Sequence, residues 1–175
     1  PVCKALLHFD TKKDEQVLVK VGVSAVDIAG ARKNVESEIS GWDFDKVRKD
    51  ARTAWNQYLS KIDITTSDKE DKTIFYSALY HTGISPNLFT DADGRYLGMD
   101  LEVHQGDTVN PVYTVFSLWD TFRALHPLMT IIDPELNNQF INSLIKKHQE
   151  GGIYPMWDLA SNYTGTMIGY HAVPV

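Results

Sequence analysis

Val17, Val19, Val21 and Val23 alternate with Leu18, Lys20, Gly22 and Ser24. A two-residue period rich in β-branched side chains predicts a half-buried strand over residues 16–24. Residues 5–10 (Ala-Leu-Leu-His-Phe-Asp) predict a second strand. The Lys12-Lys13-Asp14-Glu15 run between them reads as a solvated hairpin tip, its mixed signs giving an anion little to hold. From Ser24 the period changes. Residues 25–39 predict a short helix, capped by Ser24 or Asp27 and broken by Gly41-Trp42. Asp43 opens a longer helix to about Lys61, with Phe44, Val47, Ala51, Ala54, Trp55 and Tyr58 at three- and four-residue spacing. Trp42 and Trp55 read as packing anchors rather than ligand platforms, since a large aromatic buries about 150–250 Å².

The polar stretch 62–68 marks a boundary. Ser67-Asp68-Lys69-Glu70 has the pattern of a capping box, in which the serine oxygen takes the third amide and the glutamate reaches back. The helix it opens runs to about Ile84 and ends before Pro86. Residues 86–115 are irregular, although 95–98 and 101–103 can pair as a short ribbon. A helix is predicted from Ser117 to Met129. Asp133-Pro134 places a cap before a proline at the first helical position. The helix that follows carries Leu136, Phe140, Ile141, Leu144 and Ile145 on one side and ends at Gly151-Gly152. Asn162 is expected to cap a last helix from about Thr164 to Ala172. Strands first and helices afterwards predict a mainly α fold with a small β portion: the end of a β domain, then part of an all-helical array.

Composition narrows the function classes. In 175 residues, 43% hydrophobic and 23% charged content excludes a wholly disordered chain. A net charge of −6 offers no basic surface to nucleic acid. The single cysteine, Cys3, excludes an internal disulfide framework and argues against a cysteine-based zinc site. No apolar run of about 18 residues predicts a transmembrane helix. The chain begins at Pro1 and stops at Pro174-Val175, straight after a strongly patterned segment. An excerpt from a longer protein is expected, so the lack of a targeting signal says nothing about compartment.

Three segments carry candidate chemistry. Asp91-Ala92-Asp93-Gly94 resembles the start of a calcium loop, and Glu102 falls at the twelfth position. Arg95 and the misplaced glycine break that pattern, and a tight turn is the favoured reading. The segment Phe116 to Pro127 puts Trp119, Asp120, Arg123 and His126 on one helix. Asp120 and Arg123, three apart, share a face and can pair, and Trp119 neighbours Arg123. A carboxylate beside an indole suits a sugar: the carboxylate accepts from two vicinal hydroxyls while the ring packs on the C–H face. An acid favoured by a helix N-terminus, with Trp119 in the core, accounts for the same residues. The third segment, Gly151 to Gly165, alternates aromatics with Asp158, Asn162 and Thr164 in a loop of the kind that often carries function. Asn162-Tyr163-Thr164 also forms a glycosylation sequon. His81, His126 and His171 lack zinc spacing, and no P-loop, dinucleotide fingerprint or Gly-x-Ser-x-Gly elbow occurs.

Together, Phe75-Tyr76-Ser77-Ala78-Leu79-Tyr80-His81, Ser85-Pro86-Asn87, Asp91 to Gly94 with Tyr96, Tyr113 to His126, and Tyr154 to His171 resemble glycoside hydrolase family 92. These are the calcium-dependent exo-acting α-mannosidases common in gut Bacteroidetes. In order and spacing the matches cover most of residues 67–175. The Val17–Ser24 strand and the Trp42–Tyr58 helix resemble the family's link between domains.

The resemblance implies the end of an N-terminal β-sandwich (1–24), linker helices (25–66) and the incomplete N-terminal part of an (α/α)6 toroid (67–175). It implies an inverting enzyme that removes terminal α-linked, expected α-1,2-linked, mannose in N-glycan degradation. Such a reaction needs two carboxyls roughly 6.5–9.5 Å apart, one protonating the leaving oxygen and one activating water. In the family pattern the acid lies in a Glu-Gly-Asn segment and the base in a Gly-Asn-(Asp/Glu)-Asp segment. Neither occurs in residues 1–175, so acid, base and calcium ligands are expected beyond Val175. Asp120 matches the family's Trp-Asp motif, which implies that it binds mannose hydroxyls in the −1 subsite. Trp119 and Arg123 would shape that wall, with Asn162 and His171 as further pocket candidates. The implied partner is a mannose-containing glycan, and the implied compartment is periplasmic or extracellular. A non-catalytic carbohydrate-binding or scaffold module is the alternative, and a helical interaction domain with the aromatics in its core is a third reading.

Overall fold

The structure is a computed structural model that describes residues 4–175. Cys3 and the first residues of the expected sandwich segment lie outside the described residues. Six helices and six short strands follow one another in the described chain.

Residues 5–10 and 16–24, expected as strands, join no ladder among the described residues. Their valines, expected half-buried, are exposed: Val17, Val19, Val21 and Val23 face solvent. The physical reason is the missing partner. A lone hairpin leaves its outer N–H and C=O groups unpaired and is marginal without a third strand or a covering helix.

The first helices match their sequence signals closely. Helix α1 (Ile28–Glu38) is capped by Asp27, which accepts from Gly30 N–H at 2.6 Å. Helix α2 (Phe44–Leu59) is capped by Asp43, which accepts from Lys46 N–H at 2.9 Å. Helix α3 (Lys69–Thr82) starts one residue later than expected. Asp68 caps it in place of Ser67, accepting from Glu70 N–H at 2.7 Å, so the capping box does not form. Trp55 fits its expected role as an anchor, with its ring 4.3 Å from Tyr80 and 5.9 Å from Tyr58. Trp42 does not: it is 61% exposed, with the Lys20 ammonium 4.4 Å from its ring.

Residues 86–115 hold strands β1 (Asn87–Leu88), β2 (Arg95–Leu97), β3 (Val103–Gln105) and β4 (Tyr113–Thr114). The expected ribbon forms as β2 against β3, with Tyr96 opposite His104. Strand β1 pairs with β4.

The single helix expected from Ser117 to Met129 is two: α4 (Leu118–Thr121) and α5 (Leu125–Ile132). Pro127 explains the break. In one continuous helix its ring would strike the Arg123 carbonyl, whereas a restart at Leu125 puts it in a first turn. Helix α6 (Pro134–Gly151) follows at once. Asp133 caps it by accepting from Leu136 N–H at 3.3 Å, and Gly152 closes it in the left-handed conformation. Strands β5 (Asp158–Leu159) and β6 (Asn162–Tyr163) then form a tight hairpin. The last predicted helix is absent: residues 164–175 are turns and bends, and Asn162 pairs in a strand instead of capping.

The core is built from Phe116, Leu118, Met129, Phe140, Leu144 and Met156. Each large side chain contributes about 1.5–3 kcal/mol on burial. The rings of Phe116 and Phe140 meet edge to face at 5.7 Å. Helix α6 thus braces α4, α5 and the 156–163 segment. The cap at Asp133 anchors that brace and also takes a 2.9 Å ion pair from Lys61. Asp133→Ala is expected to destabilise by about 1 kcal/mol, while Asp133→Asn, which keeps the cap, costs less. Urea midpoints of the two variants check this.

Candidate functional site

Strand β4 delivers the chain to Val115, whose φ is 63°, and from there into α4. The backbone of 117–118 is zipped onto 156–157: Leu118 N–H donates to the Met156 carbonyl at 3.1 Å, and Ser117 bridges Trp157. This fixes the short helix that presents Trp119, Asp120 and, just beyond it, Arg123. Asp120 is exposed, and its Oδ2 accepts from the Ser117 hydroxyl at 3.0 Å. Trp119 is 38% exposed, so it is not a core residue.

The expected Asp120–Arg123 pair does not form. Arg123 lies instead over two rings, 5.1 Å from Trp119 and 5.0 Å from Phe122. The break in the helix after Thr121 removes the shared face on which the pairing rested. His171, far along the chain, joins the same cluster. Its ring is 4.2 Å from Phe122, edge on, and 6.4 Å from Trp119, nearly parallel. Trp119, Arg123 and His171 therefore converge, with Asp120 at their edge. Asn162 does not: it sits exposed in β6 and, among the described residues, its side chain makes no hydrogen bond to this cluster.

Two members of the cluster escape sequence reasoning. Phe122 carries no signal beyond its hydrophobicity. Ser117 does carry one, since a hydroxyl three residues before an acid at a helix start commonly bonds locally. Below the wall, Asp158 is fully buried and paired with Lys147 at 3.0 Å. His126 is buried against Phe116 and Phe140, and neither ring nitrogen has a partner among the described residues. Burial pushes its pKa down to about 4.

The Asp91–Gly94 segment is the expected tight turn. Asp91 N–H donates to the Arg95 carbonyl at 2.8 Å, and Gly94 takes φ 84°, which only glycine adopts freely. Its carboxylates are all engaged. Asp91 accepts from Ser24 and Asn34. Asp93 accepts from Lys33 and Arg95, and Arg95 also reaches Asp27. The Lys33 hydrogen bond foremost holds Asp93 down at about 2, and the Arg95 hydrogen bond does the same for Asp27. The network clamps α1 onto the turn so closely that a Cβ at Gly30 would collide with the Asp91 carboxylate. Among the described residues, no group of three or more His, Cys, Asp or Glu is placed to hold a metal ion. These donors do not fit the calcium that the resemblance implies.

The catalytic-domain model of glycosyl hydrolase family 92 matches residues 30–175. The fold is thus that of a glycoside hydrolase domain. Solved relatives agree. A family GH92 α-mannosidase from Bacteroides thetaiotaomicron is 38% identical, with a TM-score of 0.81 over 86% of this chain and 20% of that one. It has also been solved in complex with mannoimidazole. An inverting GH92 mannosidase from the same organism is 33% identical, with a TM-score of 0.79 and the same coverage. An uncharacterized secreted glycosidase of Arthroderma benhamiae is 36% identical over a match spanning 52% of this chain and 14% of that protein. The chain belongs to glycosyl hydrolase family 92. It spans about one fifth of the length of its solved relatives.

Proposed function

We propose that this chain is part of a longer secreted α-mannosidase, in which residues 67–175 open the (α/α)6 catalytic domain after a sandwich end and linker helices. The enzyme removes terminal α-linked mannose, α-1,2-linked by preference, from N-glycans with inversion. The observation that carries the reading is the open indole of Trp119 beside the exposed carboxylate of Asp120, which Ser117 holds in place. Support comes from family membership and from two relatives described as mannosidases, one of them inverting. The mannoimidazole complex of one relative supports a mannose-shaped ligand.

In this reading the Asp120 carboxylate accepts hydrogen bonds from two vicinal hydroxyls of the −1 mannose. Trp119 covers the apolar C–H face. Arg123 and His171 stiffen the wall through Phe122, and Asn162 takes no part in it. The acid, the base and the calcium ligands belong to the polypeptide beyond Val175. Secretion is supported by the fungal relative's description, and no described helix is long and apolar enough to cross a membrane.

The full-length polypeptide is expected to release free mannose from an α-1,2-linked mannobiose, and a chelator should abolish release. Release that survives chelation would remove calcium from the proposal. Binding of the disaccharide without any release would leave only the carbohydrate-binding alternative.

A further inference from the structure

We propose that the buried Asp158–Lys147 pair is a positioning device that aims the Trp119–Asp120 wall by holding Val115 in its left-handed conformation. The proposal rests on reading that wall as a sugar subsite. Val115 is β-branched, and φ 63° brings its side chain against its own backbone. Such strain persists only where the surroundings over-determine it. One carboxylate reaches both neighbours of Val115. Asp158 Oδ2 accepts from the Thr114 hydroxyl at 2.7 Å, and Oδ1 accepts from Phe116 N–H at 3.0 Å. The two oxygens bracket the strained residue from both sides.

The bracket is itself fixed. Lys147 Nζ lies 3.0 Å from Asp158 Oδ2, and the two side chains are 3% and 0% exposed. Lys147 stands on α6, whose Phe140 and Leu144 are core residues. Asp158 follows directly on the residues that zip onto Ser117 and Leu118. A buried ion pair is weak evidence for stability, because an apolar pair of similar volume often does as well. Its place around a strained residue, two positions before Ser117, is better explained by orientation. The φ of Val115 sets the direction in which α4 leaves β4, and hence where Trp119 and Asp120 face.

The test uses the full-length polypeptide, α-mannoside kinetics and mannoimidazole binding. Asp158→Ala is expected to lower kcat/KM and weaken inhibitor binding by about tenfold in protein with native circular dichroism. Adding Val115→Gly should restore most of both losses, because glycine takes this φ without steric cost. A purely structural role would not be rescued there. If Asp158→Ala fails to fold, Thr114→Val removes one arm of the bracket. It should lower kcat/KM about threefold in protein with native circular dichroism, again with rescue by Val115→Gly. A folded Asp158→Ala within twofold of the parent, or losses that Val115→Gly leaves untouched, would overturn the proposal. Asp120→Ala run in parallel separates the two failures. If it too has no effect, the subsite reading itself falls. If it abolishes turnover while the Asp158 variant does not, only the positioning role is lost.

Discussion

Asp120→Ala in the full-length polypeptide is expected to reduce kcat/KM for α-mannosides by about 10²- to 10⁴-fold with the melting temperature unchanged. The two halves of that expectation have separate causes. The fold is spared because Asp120 is exposed and accepts one hydrogen bond, from the Ser117 hydroxyl, which water replaces at little cost. Activity is not spared because a carboxylate that accepts from two sugar hydroxyls makes two charge-assisted bonds, each contributing about 1.5–3 kcal/mol. Summed and converted at about 1.4 kcal/mol per decade, they give the range above. Asp120→Asn should fall between parent and alanine, since the amide keeps one acceptor and loses the charge. Steady-state kinetics and calorimetric binding of mannoimidazole measure both variants. Kinetics within twofold of the parent would remove Asp120 from the sugar site.

The same segment shows what a sequence can and cannot disclose. Caps are legible because they are local: Asp27, Asp43 and Asp133 each bond an amide three residues on. The β2–β3 ribbon and the Asp91–Gly94 turn are legible for the same reason. Pro127 carries the information that splits the helix expected after Ser117, but three- and four-residue apolar spacing masks it. The last predicted helix rests on Asn162 as its cap, and Asn162 is instead paired with Leu159 in the β5–β6 hairpin. The extended segment at 5–24 reads as strand from its own valines, yet a strand exists only against a partner.

The candidate site divides along the same line. Trp119, Asp120 and Arg123 stand close in sequence, and their chemistry is plain from residue type. Their arrangement depends on contacts that no spacing reports: the Arg123 guanidinium on two rings, and His171 folding back across 49 residues from Phe122 to meet them. Asp158 reads in sequence as a loop acid open to a ligand. It is instead sealed against Lys147, and its carboxylate is used up by Thr114 and Phe116. Hidden long-range partners of this kind turn an apparently functional carboxylate into scaffold.

His126 gives the second large effect, and it acts on stability. The ring packs 6.4 Å from Phe116 and 6.0 Å from Phe140, and neither nitrogen has a hydrogen-bond partner among the described residues. Burial favours the neutral imidazole and lowers the pKa from 6.5 to about 4. Between those values the unfolded chain takes up a proton that the folded chain refuses. Stability from this residue is therefore complete above pH 6.5 and falls as the pH drops towards 4. The total loss is on the order of 3 kcal/mol. His126→Phe keeps an aromatic ring between the same two phenylalanines and cannot titrate. Urea unfolding of parent and variant at pH 7.5, 5.5 and 4.5 should show midpoints that diverge on acidification, the variant losing less. A parent that loses no more than the variant between pH 7.5 and 4.5 would mean that the imidazole finds a partner for its proton in the folded protein.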